Sequence, residues 1–383
     1  MKFLCNGISL SDAINRVSKA LPSRTIETQR ILECVKAEAA DGKLVLTASD
    51  GELTISHTIV AEVIEGGSAA VPGKFIVDFS RHLPDVQVEC TLSGRSRMRL
   101  RYNDSEVYVQ CLEPVGFPEI KRMNDPSGVS IMGCELKELI SRTVFCVSMD
   151  SARPALRGVC FDVEDYTVTA MSLDGFRLMK VMKPLEKKSK GFNAIIPARS
   201  LVEIGKLVTD ENSPVTLFFE GDFLLVENES TRIFVRLLSG SFINYEQILP
   251  KEFFTYIVVN RQMFAGAMER AGVLGKNDSK TITVTLTFRE NVMTVKGHSE
   301  IGDLTENIPV DMKGRDLTIA FNVRYLIDFL SNVNDEFLKM SFASGISPAI
   351  ITPAGSDEAK YRYLVVPIRL IAESAAKENK REE

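Results

Sequence analysis

Three segments decide the fold of this chain: VPGKFIVDFSRHLPD (71–85), IPARSLVEIGKLVTD (196–210) and FNVRYLIDFLSNVND (321–335), each starting 125 residues after the one before. Their apolar residues recur at helical spacing. Each segment has a basic residue at its fourth position and an acidic residue four positions later, a spacing that places both on one face of a helix. These pairs are Lys74 and Asp78, Arg199 and Glu203, and Arg324 and Asp328. The recurrence predicts a triplicated unit of one-domain size.

Each unit contains a second predicted helix, at 9–21, 135–145 and 260–272. Short runs of alternating apolar and polar residues surround these helices, with turn residues between them, as in antiparallel sheets. Each unit also ends with an extended run of similar character. The pattern predicts an α+β fold: three tandem copies of a domain in which two helices pack on antiparallel sheet.

Two Asp-Gly pairs interrupt alternating apolar runs at matching places in the first two units. They occur in TASDGEL (47–53) and in MSLDGFRL (171–178), as Asp50-Gly51 and Asp174-Gly175. Asp-Gly favours a tight turn between two strands. We therefore predict one hairpin in each unit, with the third unit's counterpart at 296–303.

Composition limits the class of protein. The 383 residues are 45% hydrophobic and 25% charged, with a net charge of −5, and predict a globular protein of two or three domains. No apolar run approaches the ~20 residues of a membrane helix, and the N-terminal residues do not resemble a signal peptide. The seven cysteines include no CxxC. We therefore expect reduced thiols and a cytoplasmic location.

The sequence offers little for catalysis. The three histidines, His57, His82 and His298, are far apart in the chain. None of the metal-binding, nucleophile or phosphate-loop motifs HExxH, GxSxG, GxxxxGK[ST] and GxGxxG occurs. We predict a protein that is not an enzyme and that has no metal or cofactor.

In this order and at these spacings, PARSLVEIGKLV, SARPALRGVCF, SLDGFRL, FNVRYLIDFL and the final VVPIRL resemble the bacterial DNA polymerase III beta subunit family, the sliding clamps. The resemblance covers residues 1 to about 370. It implies clamp domains at 1–122, 123–250 and 251–370, followed by a polar tail, 371–383, that we expect to be disordered.

The resemblance also implies a function. Two chains would join head to tail in a ring of six domains, which encircles duplex DNA without sequence specificity. The ring would act as a processivity factor and tether DNA polymerase III alpha subunit, the clamp loader, other polymerases and repair proteins through short Gln-x-x-Leu-Phe-like motifs. The expected location is the bacterial cytoplasm, with nucleoid association during replication.

The charge distribution agrees with such a ring. The six predicted helices carry a net charge of +4, although the whole chain carries −5. Mildly basic helices would suit a hole that holds DNA through its phosphates. Taken alone, the same charges also fit solvated helix faces with balanced pairs. With the resemblance, the predicted DNA-binding residues are Arg24, Lys74, Arg153 and Arg199.

The resemblance further implies an apolar cleft for partner peptides, of the kind that holds an extended segment with two apolar anchors. Its predicted lining comprises Leu156, Leu173, Gly175, Phe176, Arg177, Leu178, Ile243, Gln247, Ile248, Asn322, Tyr325, Ile346, Pro348, Val366, Pro367, Ile368 and Arg369. The predicted dimer interface contains Val107, Val273 and Leu274.

Two alternatives remain open at this point. A repeat scaffold could bind protein partners only and never surround DNA. Retention on closed circular DNA that is lost when the circle is cut would separate a ring from such a scaffold. An enzyme would need to turn over a substrate without any partner protein.

Overall fold

The computed structural model describes residues 1–24, 29–94, 96–120, 123, 127–150, 152–227, 230–243, 249–250, 252–274, 282–355 and 360–369. The chain forms two compact units, the first made of Met1–Leu136 with Arg199–Leu238 and the second of Lys137–Ala198 with Ser239–Glu383. Residues of the predicted middle domain therefore occur in both units.

The six predicted helices are confirmed, and each begins within two residues of its predicted start. They are α1 (Gly7–Val17), α2 (Gly73–Ser80), α3 (Gly133–Val144), α4 (Ala198–Leu207), α5 (Arg261–Val273) and α6 (Val323–Ser331). The side chains of Asn6, Asn260 and Asn322 accept backbone N–H hydrogen bonds at the starts of α1, α5 and α6. These caps satisfy donors that a helix leaves unpaired in its first turn.

The first unit contains two antiparallel sheets. A five-stranded sheet has the order β5-β1-β7-β8-β9, and an eight-stranded sheet has the order β10-β15-β16-β17-β4-β3-β2-β6. The strands are β1 (Lys2–Asn6), β2 (Cys34–Ala40), β3 (Lys43–Ser49), β4 (Leu53–Val60), β5 (Glu62–Glu65), β6 (Gly67–Pro72), β7 (Gln87–Ser93), β8 (Arg97–Tyr102), β9 (Ser105–Gln110), β10 (Ser127–Met132), β15 (Pro214–Glu220), β16 (Phe223–Glu227) and β17 (Thr231–Arg236).

The second unit is built on one twelve-stranded antiparallel sheet, in the order β14-β11-β12-β13-β25-β24-β23-β18-β21-β20-β19-β22. Its strands are β11 (Gly158–Glu164), β12 (Thr167–Leu173), β13 (Arg177–Pro184), β14 (Phe192–Pro197), β18 (Thr255–Asn260), β19 (Thr283–Arg289), β20 (Val292–His298), β21 (Asp303–Gly314), β22 (Leu317–Asn322), β23 (Phe337–Phe342), β24 (Ala349–Pro353) and β25 (Tyr361–Val365).

Both units bury the apolar faces of their helices. Helix α1 buries Leu10, Ala13 and Ile14, and α6 buries Leu326 and Phe329. The buried faces repeat at three- and four-residue intervals, as the sequence pattern predicts. In the described part of the chain, no helix is long and apolar enough to cross a membrane.

The two Asp-Gly hairpins adopt the same turn. Asp174 Oδ1 accepts hydrogen bonds from the backbone N–H groups of Phe176 and Arg177, at 2.9 and 3.0 Å. Asp50 Oδ1 makes the equivalent pair, at 3.0 and 2.8 Å, with the two residues after Gly51. The glycines have φ of +92° and +98°, a region that favours glycine. In the third sequence repeat, β20 and β21 are joined by a turn at residues 299–302.

Candidate functional site

The central residue of the predicted cleft is Arg177, which follows the second Asp-Gly turn. Its guanidinium donates to Asp174 Oδ2 at 2.9 Å, to Asp328 Oδ2 at 2.7 Å and to the backbone carbonyl of Phe145 at 3.1 Å. Only 9% of this side chain is exposed. Such a forked donor fixes its partners' geometry in a way that a lysine could not.

Aromatic rings enclose the same guanidinium. Its carbon lies 4.5 Å from the centre of the Tyr325 ring and 5.7 Å from that of Phe145. Burial acts to lower the pKa of Arg177, but the neighbouring Tyr363 and the hydrogen bonds to Asp328 and Asp174 outweigh burial and raise the pKa overall. The guanidinium is therefore a fixed positive charge that holds the hairpin against helix α6.

Phe176 extends from this hairpin into solvent. Its side chain is 58% exposed, and its ring stacks on Tyr325 with 6.2 Å between ring centres. The backbone carbonyl of Phe176 accepts from the N–H of Val366 at 2.8 Å, and the N–H of Ile368 donates to Ala320 at 2.8 Å. These bonds bring the hairpin, the start of α6 and the final extended run into one site in the second unit.

A row of buried apolar side chains forms one wall of this site. Leu173 is paired with Leu178, Leu178 with Leu364, and Leu364 with Ile350 across neighbouring strands. Residues directly opposite one another lie on the same face of a sheet. Leu173 and Leu178 are 4% and 1% exposed, so they support the site more than they offer free surface.

The remaining predicted lining residues take varied positions. Leu156 is buried, and its backbone N–H donates to the carbonyl of Arg153 at 3.0 Å. Ile346 is 73% exposed in the loop between β23 and β24, where Pro348 is half-buried, and Ile243 is 44% exposed. The predicted residues Gln247 and Ile248 lie outside the described residues. Asn322 caps α6, Gly175 forms the turn, Pro367 is buried, and Arg369 is exposed.

Sequence reasoning missed the aromatic support beneath the site. Tyr363 is buried, donates from its hydroxyl to the carbonyl of Tyr325 at 2.8 Å and stacks on Phe329 with 4.4 Å between ring centres. Ser172 donates from its hydroxyl to the carbonyl of Thr143 at 2.6 Å. Only Asp328, which accepts a hydrogen bond from Arg177, had a signal in the sequence, because an acidic residue recurs at its position in each of the three repeats.

Three of the predicted DNA-binding residues lie in the first unit. The side chains of Arg24 and Lys74 are exposed. Arg199, at 52% exposure, donates to Asp50 Oδ2 at 2.5 Å and to the backbone carbonyl of Lys19 at 2.7 Å. Arg199 thus links α4 to the first Asp-Gly hairpin, an interaction that its predicted role did not include. Arg153, in the second unit, is exposed.

Helices α1 and α4 flank a cavity of about 300 Å³ in the first unit. Its walls include three cationic residues, Arg16, Lys19 and Lys206, and two acidic ones, Asp12 and Glu203. Lys206 pairs with Glu203 at 2.9 Å. The cavity surface is therefore mildly basic, in line with the charge pattern of the helices.

The predicted dimer residues lie at free surfaces of their units. Val107 is half-buried on β9, which is an edge strand of the five-stranded sheet. Val273 is 55% exposed at the end of α5, and Leu274 is half-buried beside it. Among the residues that the structure describes, no group of three or more acidic, histidine or cysteine side chains could hold a metal ion.

Comparisons with known proteins match a single family along almost the whole chain. Family models of the DNA polymerase III beta subunit match residues 1–121 as its N-terminal domain, 130–244 as its central domain and 246–369 as its C-terminal domain. A Staphylococcus epidermidis protein named beta sliding clamp is 27% identical over 378 residues, covering 96% of this chain and 99% of that protein.

A beta sliding clamp of Streptococcus pneumoniae is 29% identical over 367 residues, covering 93% of this chain and 96% of that protein. The crystal structure of the DNA polymerase sliding clamp from Bacillus subtilis superposes with a TM-score of 0.92 at 26% identity, covering 97% of this chain and all of that one. The chain therefore belongs to the DNA polymerase III beta subunit family, the beta sliding clamps, and is a non-catalytic processivity factor of DNA replication.

Proposed function

We propose that two copies of this chain close head to tail into a ring of six domains around duplex DNA. Three domains of each chain, with the predicted bounds 1–122, 123–250 and 251–370, would each occur twice. The exposed edge of β9 and the exposed Val273 support this assembly, because an unpaired edge strand is a template for sheet continuation. The ring would hold DNA through Arg24, Lys74, Arg153 and Arg199 without reading its sequence.

The same proposal assigns partner binding to the cleft around Phe176. One observation carries it: Phe176 and Ile346 expose 58% and 73% of their side chains, and hydrogen bonds fix the surface around Phe176. Exposed apolar side chains on a rigid surface are typical of a peptide-binding site. DNA polymerase III alpha subunit, the clamp loader, other polymerases and repair proteins would each insert a Gln-x-x-Leu-Phe-like motif there.

Peptide binding tests the cleft. A fluorescent peptide, Gln-Ser-Ser-Leu-Phe, would be titrated with the full-length protein and with the Phe176→Ala variant. Phe176 is exposed, so the substitution leaves the core intact, and we expect affinity to fall about tenfold or more. Val60→Ala is the matched control, because Val60 is 86% exposed in the first unit. Equal affinity in all three proteins would refute the assignment.

DNA topology tests the ring. Protein loaded by a clamp loader should remain on closed circular DNA and leave once a nuclease linearises the circle. Retention that does not depend on the circle would contradict encirclement and favour a scaffold. We further propose that the protein acts in the bacterial cytoplasm and associates with the nucleoid during replication. A fluorescent fusion that gives no foci on replicating chromosomes would contradict that location.

A further inference from the structure

Two strand pairings, here called seams, join successive repeats, one in each unit, and they share one register. In the first seam, Leu53 of β4 lies opposite Val235 of β17. In the second seam, Arg177 of β13 lies opposite Val365 of β25. Leu53 and Arg177 each stand three residues after the aspartate of an Asp-Gly turn. Each seam therefore has the same position relative to its hairpin.

The third repeat has the same hairpin, with a serine in place of the aspartate. His298 lies opposite Asp303 with four residues between them, as in the first two hairpins. Ser299 donates its N–H to the carbonyl of Gly302 at 3.0 Å, and Ser299 Oγ accepts from the N–H of Ile301 at 3.2 Å. The aspartates of the other two turns make the same bonds. The third hairpin can therefore form the same kind of seam.

This hairpin lacks the strand that the other two hairpins pair with. Residues Asp303–Pro309 of β21 pair with β20 on one side, whereas pairing with β18 on the other side begins at Val310. Among the described strands, none occupies that second side of Asp303–Pro309. Such an unpaired edge is a template for another strand.

Strand β9 is the counterpart of β17 and β25 in the first repeat. Leu112, just beyond β9, donates its N–H to the carbonyl of Ala70 at 2.8 Å. Ile368, just beyond β25, donates in the same way to Ala320 at 2.8 Å. Ala70 and Ala320 are two repeats of 125 residues apart. Strand β9 nevertheless lies at the edge of its sheet, so its outer side is open to a strand of another chain.

We propose that β9 of one chain pairs with the first half of β21 of a second copy, and so forms a third seam in the register of the other two. The inference rests on the proposed ring, because the missing strand comes from the second chain. The N–H of Gln110 would donate to the carbonyl of Ile301 of the partner subunit. Within the chain, the N–H of Val366 donates to the carbonyl of Phe176 at the equivalent place.

The register of the third seam follows from equivalent positions. Val109 precedes Leu112 by three residues, as Val365 precedes Ile368. Val109 therefore takes the place of Val365 and lies opposite Gly302 of the partner subunit. Because the strands are antiparallel, each step back along β9 is matched by one step forward along the partner's β21.

Burial agrees with this register. It places Val107 opposite Leu304 of the partner subunit, and both side chains are half-buried in the single chain. The equivalent pairs of the internal seams are at most 3% exposed: Ile55 with Ile233, and Met179 with Tyr363. A Cβ added to Gly297, which lies opposite Leu304, would be 3.2 Å from Leu274 Cδ1. The predicted interface residue Leu274 therefore adjoins the same surface.

The third hairpin lacks the charged residues that fasten the other two. Each internal hairpin is held to a helix by an arginine–aspartate pair. In the third hairpin, Ser299 stands in place of Asp50 and Gly302 in place of Arg177. Neither pair can therefore recur at the seam between chains.

Apolar side chains occupy the matching place instead. Ile301 corresponds to Phe176, and Phe75 corresponds to Tyr325, whose ring stacks on that of Phe176 with 6.2 Å between ring centres. Ile301 and Phe75 are 65% and 38% exposed in the single chain. Contact between Ile301 and the partner's Phe75 would cover apolar surface on both chains. An apolar contact thus fastens the third seam where charged pairs fasten the internal ones.

Disulfide formation tests the register. All variants carry Cys134→Ser, which removes the exposed thiol. The Val107→Cys/Leu304→Cys variant should form a covalent dimer on mild oxidation, because directly opposite residues are close enough for a disulfide. The Val109→Cys/Leu304→Cys variant places its thiols diagonally and should crosslink little. Neither Val107→Cys nor Leu304→Cys alone should crosslink.

A double-mutant cycle tests the apolar contact. Ile301→Ala and Phe75→Ala should each raise the dissociation constant of the dimer about tenfold. The double variant should be little worse than either single one, because both substitutions remove the same contact. Ile64→Ala is the matched control, since Ile64 is 52% exposed on β5, at the opposite edge of the sheet that contains β9. It should leave the dissociation constant unchanged.

The outcomes separate the seam from the ring. A single-chain mass for the unmodified protein would mean that the proposed ring itself is wrong. A dimer that gives no Val107–Leu304 crosslink, or that crosslinks through Val109 instead, would overturn the proposed register while leaving the ring intact. Fully additive effects of Ile301→Ala and Phe75→Ala would show that these two side chains do not meet.

Discussion

Arg177 Nη1 lies 2.7 Å from Asp328 Oδ2, and this contact joins residues 151 positions apart in the chain. It fastens the second Asp-Gly hairpin to α6, the second helix of the third repeat. Arg199 and Asp50 make a corresponding contact, at 2.5 Å, between the first hairpin and α4, the second helix of the second repeat. In both places an arginine–aspartate pair joins a hairpin to a helix of the next repeat, but the arginine belongs to the hairpin in one pair and to the helix in the other.

The first prediction concerns the stability of this joint. Arg177→Ala should lower the free energy of unfolding by about 2–4 kcal/mol, because it leaves two half-buried carboxylates, Asp174 and Asp328, without their buried partner. Arg177→Lys keeps the charge but loses the forked geometry, so its loss should be intermediate. Urea denaturation of the purified variants measures both.

Arg232→Ala is the control for that series. Arg232 pairs with Glu227 at 2.9 Å, but both side chains are more than 40% exposed. Its loss should be below about 1 kcal/mol. A similar cost for Arg177→Ala and Arg232→Ala would show that the buried joint does not stabilise the second unit.

The second prediction concerns DNA. Arg24→Ala should weaken binding of duplex DNA equally for all sequences and reduce the slope of log K against log salt by about 1, because one phosphate contact is lost. Fluorescence anisotropy of a labelled duplex across a salt series measures the slope. Lys43→Ala removes the same charge elsewhere and should leave the slope unaltered. An unchanged slope for Arg24→Ala would exclude a direct phosphate contact.

The third prediction is a loss of stability at alkaline pH. Burial raises the pKa of the Cys5 thiol from 9.0 to about 12. Burial is also the largest cause that raises the pKa values of Cys111 and Cys160 from 9.0 to about 11. A raised thiol pKa gives stability that is fully present below 9.0 and is lost as pH rises toward the folded-state pKa. Each such thiol should contribute a slope of up to about 1.4 kcal/mol per pH unit.

Denaturation under reducing conditions, from about pH 8 to about pH 10.5, measures this loss. In the Cys160→Ala variant, the free energy of unfolding should fall less steeply with pH, because one thiol no longer contributes to the slope. A free energy of unfolding that stays constant over this range would mean that the thiols are not shielded as the structure indicates.

The fourth prediction concerns thiol labelling. Among the seven cysteines, Cys134 is exposed at the start of α3 and the other six are buried. One thiol per chain should therefore react quickly with iodoacetamide in the folded protein, and mass spectrometry should locate it at Cys134. In the Cys134→Ser variant the fast phase should vanish. Fast labelling of a second site would contradict the burial of that cysteine.

Local patterns predicted the helices and both Asp-Gly turns. The helical spacing around Lys74, Arg199 and Arg324 reports only which face is buried, and the Asp-Gly pair carries its own turn chemistry. The contacts of Arg177 could not be predicted in this way. Its partners Phe145 and Asp328 lie 32 and 151 residues away, and only the fold brings them together.

The same limit applies to Arg199. Its helix and its face were predicted, but its pairing with Asp50 joins residues 149 positions apart. The DNA-binding role of Arg199 stays a prediction, whereas its contact with Asp50 is part of the structure.

The solution mass of the purified protein, measured by light scattering across a dilution series, tests the ring most directly. A ring of two chains predicts a mass of twice the 42.5 kDa of one chain, persisting on dilution. Val273→Asp should halve that mass by burying a charge at the interface, whereas Val60→Asp should not. A single-chain mass at every concentration of the unmodified protein would contradict the six-domain ring.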